Sequence, residues 1–229
     1  MVCIKKYIVI LLIAIFLIPN NVLSESIFYG DYNEDLFLDY VDIPVVAATD
    51  NSGILGQVRI ARIAQGFGNI IFDQRVDIDF STMNSVINAV RFASKYSDEK
   101  YDYFISYDLS TERVSGKSTG AAITLGLISL HLEKEYDTNY VVTGNIDKFG
   151  YLRAVGGLPL KIAVISQSDN KPNLIIAPNQ QIGTIKLFDK NIQRYTKQFV
   201  DVKKHAKSNN VNLFEKNTID TIMSLVLKD

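Results

Sequence analysis

The sequence describes a chain of 229 residues, long enough for one domain with a buried core and short for two. Apolar residues make up 47% and charged residues 21%, as in ordinary globular proteins. The formal net charge of −1 argues against a nucleic-acid partner, because proteins that bind nucleic acids carry basic surfaces.

Residues 1–24 have the pattern of an export signal. Two lysines precede the apolar run "YIVILLIAIFLI", and Val22 and Ser24 fit the −3 and −1 positions of a signal-peptidase site. The run is shorter than the roughly 20 residues of a membrane span. We expect a periplasmic or secreted protein, with a retained membrane anchor as the alternative. Cleavage would remove Cys3, the one cysteine, and leave a net charge of −3, from 22 bases and 25 acids.

The segments that follow predict a mixture of strands and helices. Residues 25–42 mix acids with aromatics and are interpreted as an extended leader, and residues 43–229 as one domain. The alternation in "ILGQVRIARI" and "NIIFDQRVDIDF" predicts two strands of one sheet. The segment "STMNSVINAVRFASKYS" predicts a helix with Ser81 as its N-cap.

The second half of the chain continues this mixture. Strands are predicted at "YDYFISYDL", "NYVVTGN" and "PNLIIAPN", and a hairpin arm at "GYLRAVGG". Helices are predicted at "STGAAITLGLISLHLEKEY", "LPLKIAVISQS" and "TIDTIMSLVLK". Without internal repeats, this order predicts a single α+β (mixed α/β) domain, with a mixed sheet flanked by helices.

The segment Gly116–Ser118 lies between a predicted strand and a predicted helix, as the end of a phosphate-binding loop does. That loop has the pattern G-x-x-x-x-G-K-[ST], and its first glycine is replaced here by Thr111. Glu112 also puts a negative charge where phosphates would bind. A nucleotide-binding protein is therefore the least favoured of the three functions considered for this chain, after the two given at the end of this section. We expect no cofactor.

Ser118 is a candidate nucleophile, because the N–H groups and the dipole at the start of a helix stabilise developing negative charge. The alternative is that Ser118 caps the helix and that Gly120 allows close packing. A serine nucleophile needs a base. His131 would lie about 20 Å away on the same helix, at ~1.5 Å per residue, and His205 lies in a polar segment. Neither a Ser-His-Asp triad nor a histidine-based metal site is expected.

Lys161 is a candidate base, because its helix neighbours are apolar. Burial among such side chains would lower the pKa of the lysine toward neutrality, so that it could accept a proton at physiological pH. The alternative is a lysine whose stem lies on apolar surface and whose amine reaches water. These observations leave both interpretations open.

Together these segments resemble the proteolytic domain of the Lon family of serine peptidases. Its patterns are G-P-S-A-G, then T-G-E-I, then G-x-V-x-x-[IV]-G-G-L-x-x-K, and the similarity is strongest over residues 114–166. The resemblance implies Ser118 as nucleophile and Lys161 as general base, 43 positions later. It implies that Thr143 supports the lysine, and that Gly156 and Gly157 form the turn before the lysine helix.

The residues around the implied nucleophile depart from the family pattern. Lys117 replaces a proline, Thr119 an alanine, Ser115 an aspartate and Asn145 a glutamate. The backbone N–H groups from the nucleophile to Gly120 are expected to bind the oxyanion. The cation at position 117 is expected to alter the substrate preference or the pKa of the lysine.

The resemblance also implies an activity. Family members usually carry an ATPase module ahead of the protease, where this sequence has an export signal. We therefore expect an ATP-independent serine endopeptidase that cleaves peptides or unfolded proteins outside the cytoplasm. The resemblance further implies a homo-oligomer, with a hexamer as the expected form. The second hypothesis is a catalytically inactive Lon-like protein that binds peptides or a partner.

Overall fold

The computed structural model describes residues 27–30, 34–189 and 193–229. The predicted export signal, residues 1–24, lies outside these ranges. Within them, no helix is both long enough and apolar enough to cross a membrane. The α-helices of the described residues are α1 (Phe80–Ala93), α2 (Gly120–Leu132), α3 (Leu158–Gln167), α4 (Val202–Ser208) and α5 (Ile219–Val226).

The strands of the described residues form one larger mixed sheet and several small ones. They are β1 (Ile27–Gly30), β2 (Asp39–Ala48), β3 (Gly53–Gln65), β4 (Ile70–Asp73), β5 (Asp77–Ile78), β6 (Tyr101–Asp108), β7 (Arg113–Val114), β8 (Glu135–Tyr136), β9 (Tyr140–Thr143), β10 (Asn145–Ile146), β11 (Leu152–Arg153), β12 (Asn173–Ile176), β13 (Ile182–Asp189), β14 (Arg194–Asp201), β15 (Leu213–Glu215) and β16 (Leu227–Lys228). The predicted α+β (mixed α/β) class is confirmed.

The main sheet has the strand order β1-β4-β6-β3-β2. β4 runs parallel to both of its neighbours, whereas β3 is antiparallel to β6 and β2. The two strands predicted from "ILGQVRIARI" and the start of "NIIFDQRVDIDF" do belong to this sheet, with β6 between them. The segment interpreted as a leader contributes β1 at the edge and the first residues of β2, so part of it packs on the domain as strand.

Two apolar cores lie on either side of a smaller parallel sheet, β15-β12-β9. Period-two alternation sends Val142 and Ile175 into the larger core, beneath α1, α2 and the main sheet. The neighbouring Val141 and Leu174 face the second core, which α3 and α4 cover. The carboxyl end of β9 therefore lies where the two cores meet.

Several sequence-based boundaries were wrong, for local reasons. The N-cap of α1 is Asp79, whose carboxylate accepts the N–H of Thr82, and Ser81 lies inside the first turn. The segment "NIIFDQRVDIDF" contains two strands, β4 and β5, that pair with different partners. The pairing of β11 with β10 confirms the hairpin arm. The long β13–β14 hairpin was not predicted.

Candidate active site

The candidate residues meet at the carboxyl end of β9, beside the first turns of α2 and α3. In sheets with parallel strands, this is the end at which ligands usually bind. Thr143 is the last residue of β9 and is fully buried. Its neighbour Gly144 donates its N–H to the carbonyl of Ser118 at 2.9 Å, and the Gly144 carbonyl accepts the N–H of Ala121 at 2.9 Å. The strand end is thereby joined to both sides of the turn that carries Ser118.

Ser118 lies in a turn just before α2. The helix begins at Gly120, and its N-cap is Thr119, which forms no side-chain capping bond. The interpretation of Ser118 as the helix cap is therefore wrong. The Gly120 N–H donates to the carbonyl of Lys117 at 3.2 Å and closes the turn. Ser118 itself is partly exposed, as a residue that meets a substrate must be.

Lys161 is buried in the first half of α3. The helix starts after Gly157, whose positive φ of 72° and close approach to Ala48 leave no room for a Cβ. The carbonyl of Gly157 then accepts the N–H of Lys161 at 3.0 Å. Gly156 is exposed, and a Cβ added to it would meet no atom within 4 Å, so the contacts do not explain a glycine there. The turn thus directs the lysine into the protein.

Burial sets the protonation of Lys161. The residue is 2% exposed, and within the described part of the chain it forms no ion pair. Desolvation lowers the pKa of its amine from 10.5 to about 7. The alternative, an amine that reaches water, does not hold in this structure. A large fraction of the lysine is therefore neutral at physiological pH.

Thr143 connects the lysine with the serine turn. Its hydroxyl oxygen accepts a hydrogen bond from the Lys161 Nζ at 2.8 Å, and the same hydroxyl lies 3.4 Å from the carbonyl oxygen of Ser118, to which it donates. Because the amine donates to Thr143, its lone pair stays available for another proton. Thr143 thus brings Ser118 and Lys161, which are 43 positions apart in the sequence, into one hydrogen-bonded group.

The loop before Ser118 is fixed by the start of α1, which the sequence reasoning missed. The N–H of Gly116 donates to Ser81 Oγ at 3.1 Å and to the Asp79 carboxylate at 3.4 Å. The carbonyl of Gly116 accepts the hydroxyl of Thr82 at 3.0 Å. Ser85, one turn further along, lies 3.3 Å from the carbonyl oxygen of Lys117. The available signal was a row of hydroxyl residues on the buried face of an otherwise apolar helix.

The charge of Asp79 is stabilised by this arrangement. Burial acts to raise the pKa of its carboxyl, but hydrogen bonds from Thr82, Ser81 and Gly116 outweigh it and lower the pKa overall. A carboxylate therefore holds the Gly116 N–H that a phosphate loop would offer to phosphate. This contact, with the missing glycine at position 111, disfavours the nucleotide hypothesis.

The other side chains considered for chemistry lie elsewhere. The buried Thr119 hydroxyl lies 3.3 Å from that of Tyr107, which supports the turn from the main sheet. His131 lies in the last turn of α2 and contacts Tyr103, and His205 contacts the carbonyl of Pro159. Among the described residues, no three His, Cys, Asp or Glu side chains are grouped so that they could hold a metal ion.

The site thus combines a partly exposed serine, a buried lysine and a bridging threonine in a mixed α/β domain. No known family model matches the chain. Over 108 residues, 47% of this chain, it is 30% identical to the Lon protease of Borrelia duttonii (strain Ly). The chain spans 13% of the length of that relative. This distant similarity suggests a Lon-like relationship and hints at a protease-like function.

Proposed function

We propose that this protein is a serine peptidase in which Ser118 is the nucleophile and Lys161 the general base. The observation that carries the proposal is the buried lysine with a pKa of about 7, hydrogen-bonded through Thr143 to the serine turn. Strongly shifted pKa values concentrate at functional sites, because a base must be deprotonated at working pH to accept a proton, and for a lysine this means the neutral amine. The similarity to a Lon protease supports the same assignment.

The proposed reaction is acyl transfer. Neutral Lys161 removes the proton of the Ser118 hydroxyl as its oxygen attacks the scissile carbonyl. The lysine ammonium then protonates the leaving amine, and an acyl-serine remains. Water, deprotonated by the same lysine, hydrolyses this ester, and the proton returns to Ser118 as the acid product leaves.

The serine turn supplies the groups that would stabilise the oxyanion. Backbone N–H groups from Ser118 to Gly120 lie next to the nucleophile, at the positive end of α2. The N–H of Gly120 donates to the Lys117 carbonyl, so the N–H groups of Ser118 and Thr119 are the proposed oxyanion donors. Thr143 orients the lysine by accepting from its amine.

The substrates we propose are peptides or unfolded polypeptides, cleaved without ATP and outside the cytoplasm. The carboxylate contact at Gly116 supports independence from nucleotide at this site. The apolar pattern of residues 1–24 supports export or membrane anchoring. We further propose that the protein acts as a homo-oligomer.

The test is hydrolysis of unfolded casein by the full-length protein, with and without ATP, beside Ser118→Ala and Ser129→Ala. Ser129 is a buried serine of α2 that bonds to its own helix, so it controls for loss of a buried hydroxyl. We expect cleavage by the wild type and Ser129→Ala, unchanged by ATP, and none by Ser118→Ala. Equal activity in Ser118→Ala would contradict the proposal. Peptide binding without cleavage, in the wild type and in both variants, would favour the second candidate, an inactive Lon-like protein. The observation that favours this candidate is Lys117, which stands beside the nucleophile where the family pattern has a proline.

A further inference from the structure

Ser85 is a buried polar residue that the proposed reaction does not use. It lies on α1 and is fully buried, yet its hydroxyl does not bond within its own helix. The hydroxyl donates instead to two partners outside the helix, the Lys117 carbonyl at 3.3 Å and the Asn145 Oδ1 at 3.1 Å. These partners are 32 and 60 positions away along the chain. A hydroxyl buried in this way connects α1, the serine turn and the start of β10.

Hydrogen-bond polarity couples these two contacts. The Lys117 carbonyl and the Asn145 Oδ1 can only accept, and a serine hydroxyl has one proton to donate. The two oxygens therefore share the Ser85 proton, and a stronger bond to residue 145 weakens the bond to the Lys117 carbonyl.

Gly120 explains how the hydroxyl reaches the turn. A Cβ added at Gly120 would overlap the Ser85 Oγ and lie 3.2 Å from the Asn145 Oδ1. A larger residue at position 120 would displace the Ser85 hydroxyl from this place, so the contact depends on the glycine. The N–H of Gly120 donates to the same Lys117 carbonyl at 3.2 Å. That carbonyl therefore has two donors, one from each side of the turn.

The strand end at residues 143–145 divides its contacts between the two proposed reacting groups. Thr143 accepts from the Lys161 amine, Gly144 donates to the Ser118 carbonyl, and Asn145 contacts Ser85. Successive residues of one extended segment thus set the lysine on one side and the serine turn on the other.

We propose that Ser85 and Asn145 are a coupled pair of positioning residues that hold the Lys117 carbonyl and so fix the approach of the Ser118 hydroxyl. This inference rests on the proposed function. Neither residue touches the substrate or the lysine in this account, so each acts through the turn. Misplacement of a nucleophile by about 1 Å lowers the rate by up to roughly 100-fold.

The first experiment measures kcat, KM and the pH midpoint for Ser85→Ala, with Ser129→Ala as the matched control. We expect Ser85→Ala to lower kcat about 10- to 100-fold, with KM and the pH midpoint unchanged, because the lysine and its burial are untouched. The Ser129→Ala protein should match the wild type. A wild-type kcat for Ser85→Ala would overturn the proposal. A shift of the pH midpoint would overturn it too, because the midpoint reports the titration of Lys161 and would mean that Ser85 acts on the lysine rather than on the serine turn.

The second experiment tests the coupling with Asn145→Asp, which keeps the size of the side chain. A carboxylate accepts a stronger hydrogen bond than an amide oxygen, so it would draw the Ser85 proton away from the Lys117 carbonyl. We expect a kcat as low as that of Ser85→Ala, and little further loss in the double variant. Additive losses, or full activity of Asn145→Asp, would contradict the coupling. This variant also decides the question if Ser85→Ala does not fold.

A parallel Ser118→Ala protein separates the two proposals. If Ser118→Ala is inactive and Ser85→Ala is fully active, the pairing of Ser85 and Asn145 fails while the proposed peptidase stands. If Ser118→Ala retains the activity, the proposed function itself fails.

Discussion

Two regions of this protein bury ionisable groups, and they do so in opposite ways. In the main sheet, Asp73 is 3% exposed, and it accepts hydrogen bonds from Arg75 Nε at 2.9 Å and from the Ser106 hydroxyl at 2.7 Å. Burial alone would raise the pKa of Asp73, but these bonds lower it to about 2. Lys161 is equally buried, but its partner is a threonine hydroxyl and, among the described residues, it pairs with no acid, so its pKa falls to about 7. Partners decide whether a buried group keeps its charge.

The neighbouring strands extend the charged arrangement around Asp73. Arg59 lies opposite Ser106 on β6 and Asp42 on β2, and its Nε donates to the Asp42 carboxylate at 2.8 Å. The hydrogen bond to Asp42 raises the pKa of Arg59 further. This region satisfies its charges internally, which is the pattern of a structural network. The lysine site leaves a reactive lone pair, which is the pattern of a catalytic base.

The largest effect should come from giving the lysine site a charge that cannot be lost. In Lys161→Arg, the guanidinium stays protonated at any working pH and cannot act as a base. We expect the peptidase rate to fall on the order of 10⁴-fold. The exposed Lys207→Arg on α4 is the matched control and should be fully active. Casein hydrolysis that survives in Lys161→Arg would refute the role given to the lysine.

The next largest effect concerns stability. Since the folded state disfavours the ammonium, Lys161→Met should raise the free energy of unfolding at pH 7, by on the order of 4 kcal/mol, while activity is lost. In the wild type, the unfolded lysine binds more protons between pH 7 and 10.5, so stability should rise with pH through this window. The methionine variant should lack this rise. Denaturant unfolding at several pH values measures both the stability difference at pH 7 and the rise of stability with pH. A Lys161→Met protein that is less stable than the wild type at pH 7 would contradict the account.

A smaller and opposite effect is expected at Asp73. Its lowered pKa means that the folded state favours the carboxylate, so Asp73→Asn should reduce stability at pH 7 by about 1 kcal/mol, after discounting for solvent near the exposed Arg75. The wild-type contribution should be present above about pH 4 and be lost as the pH falls toward 2. Thermal unfolding across this range measures it. Unchanged stability in Asp73→Asn would indicate that the network contributes nothing.

The sequence predicted the parts of this molecule whose local signals are strong. The apolar runs of α2 and α3 and the strand patterns of β3 and β6 identified their elements. A lysine among apolar residues gave a buried amine as one of two interpretations, and the structure decided between them. The β13–β14 hairpin was missed because β14 is exposed along almost its whole length and has no buried apolar face to signal a strand. Ser85 was missed, and Asn145 was noted only as a departure from the family pattern, because their contact joins residues 60 positions apart, a relation that only folding creates.

The measurement that tests the central claim most directly is the pH dependence of kcat/KM for peptide hydrolysis. If Lys161 is a desolvated general base, the rate should rise with pH and reach half its maximum near pH 7, where burial sets the pKa of the lysine. A midpoint above about pH 9 would contradict the account, because it would report a lysine in contact with water.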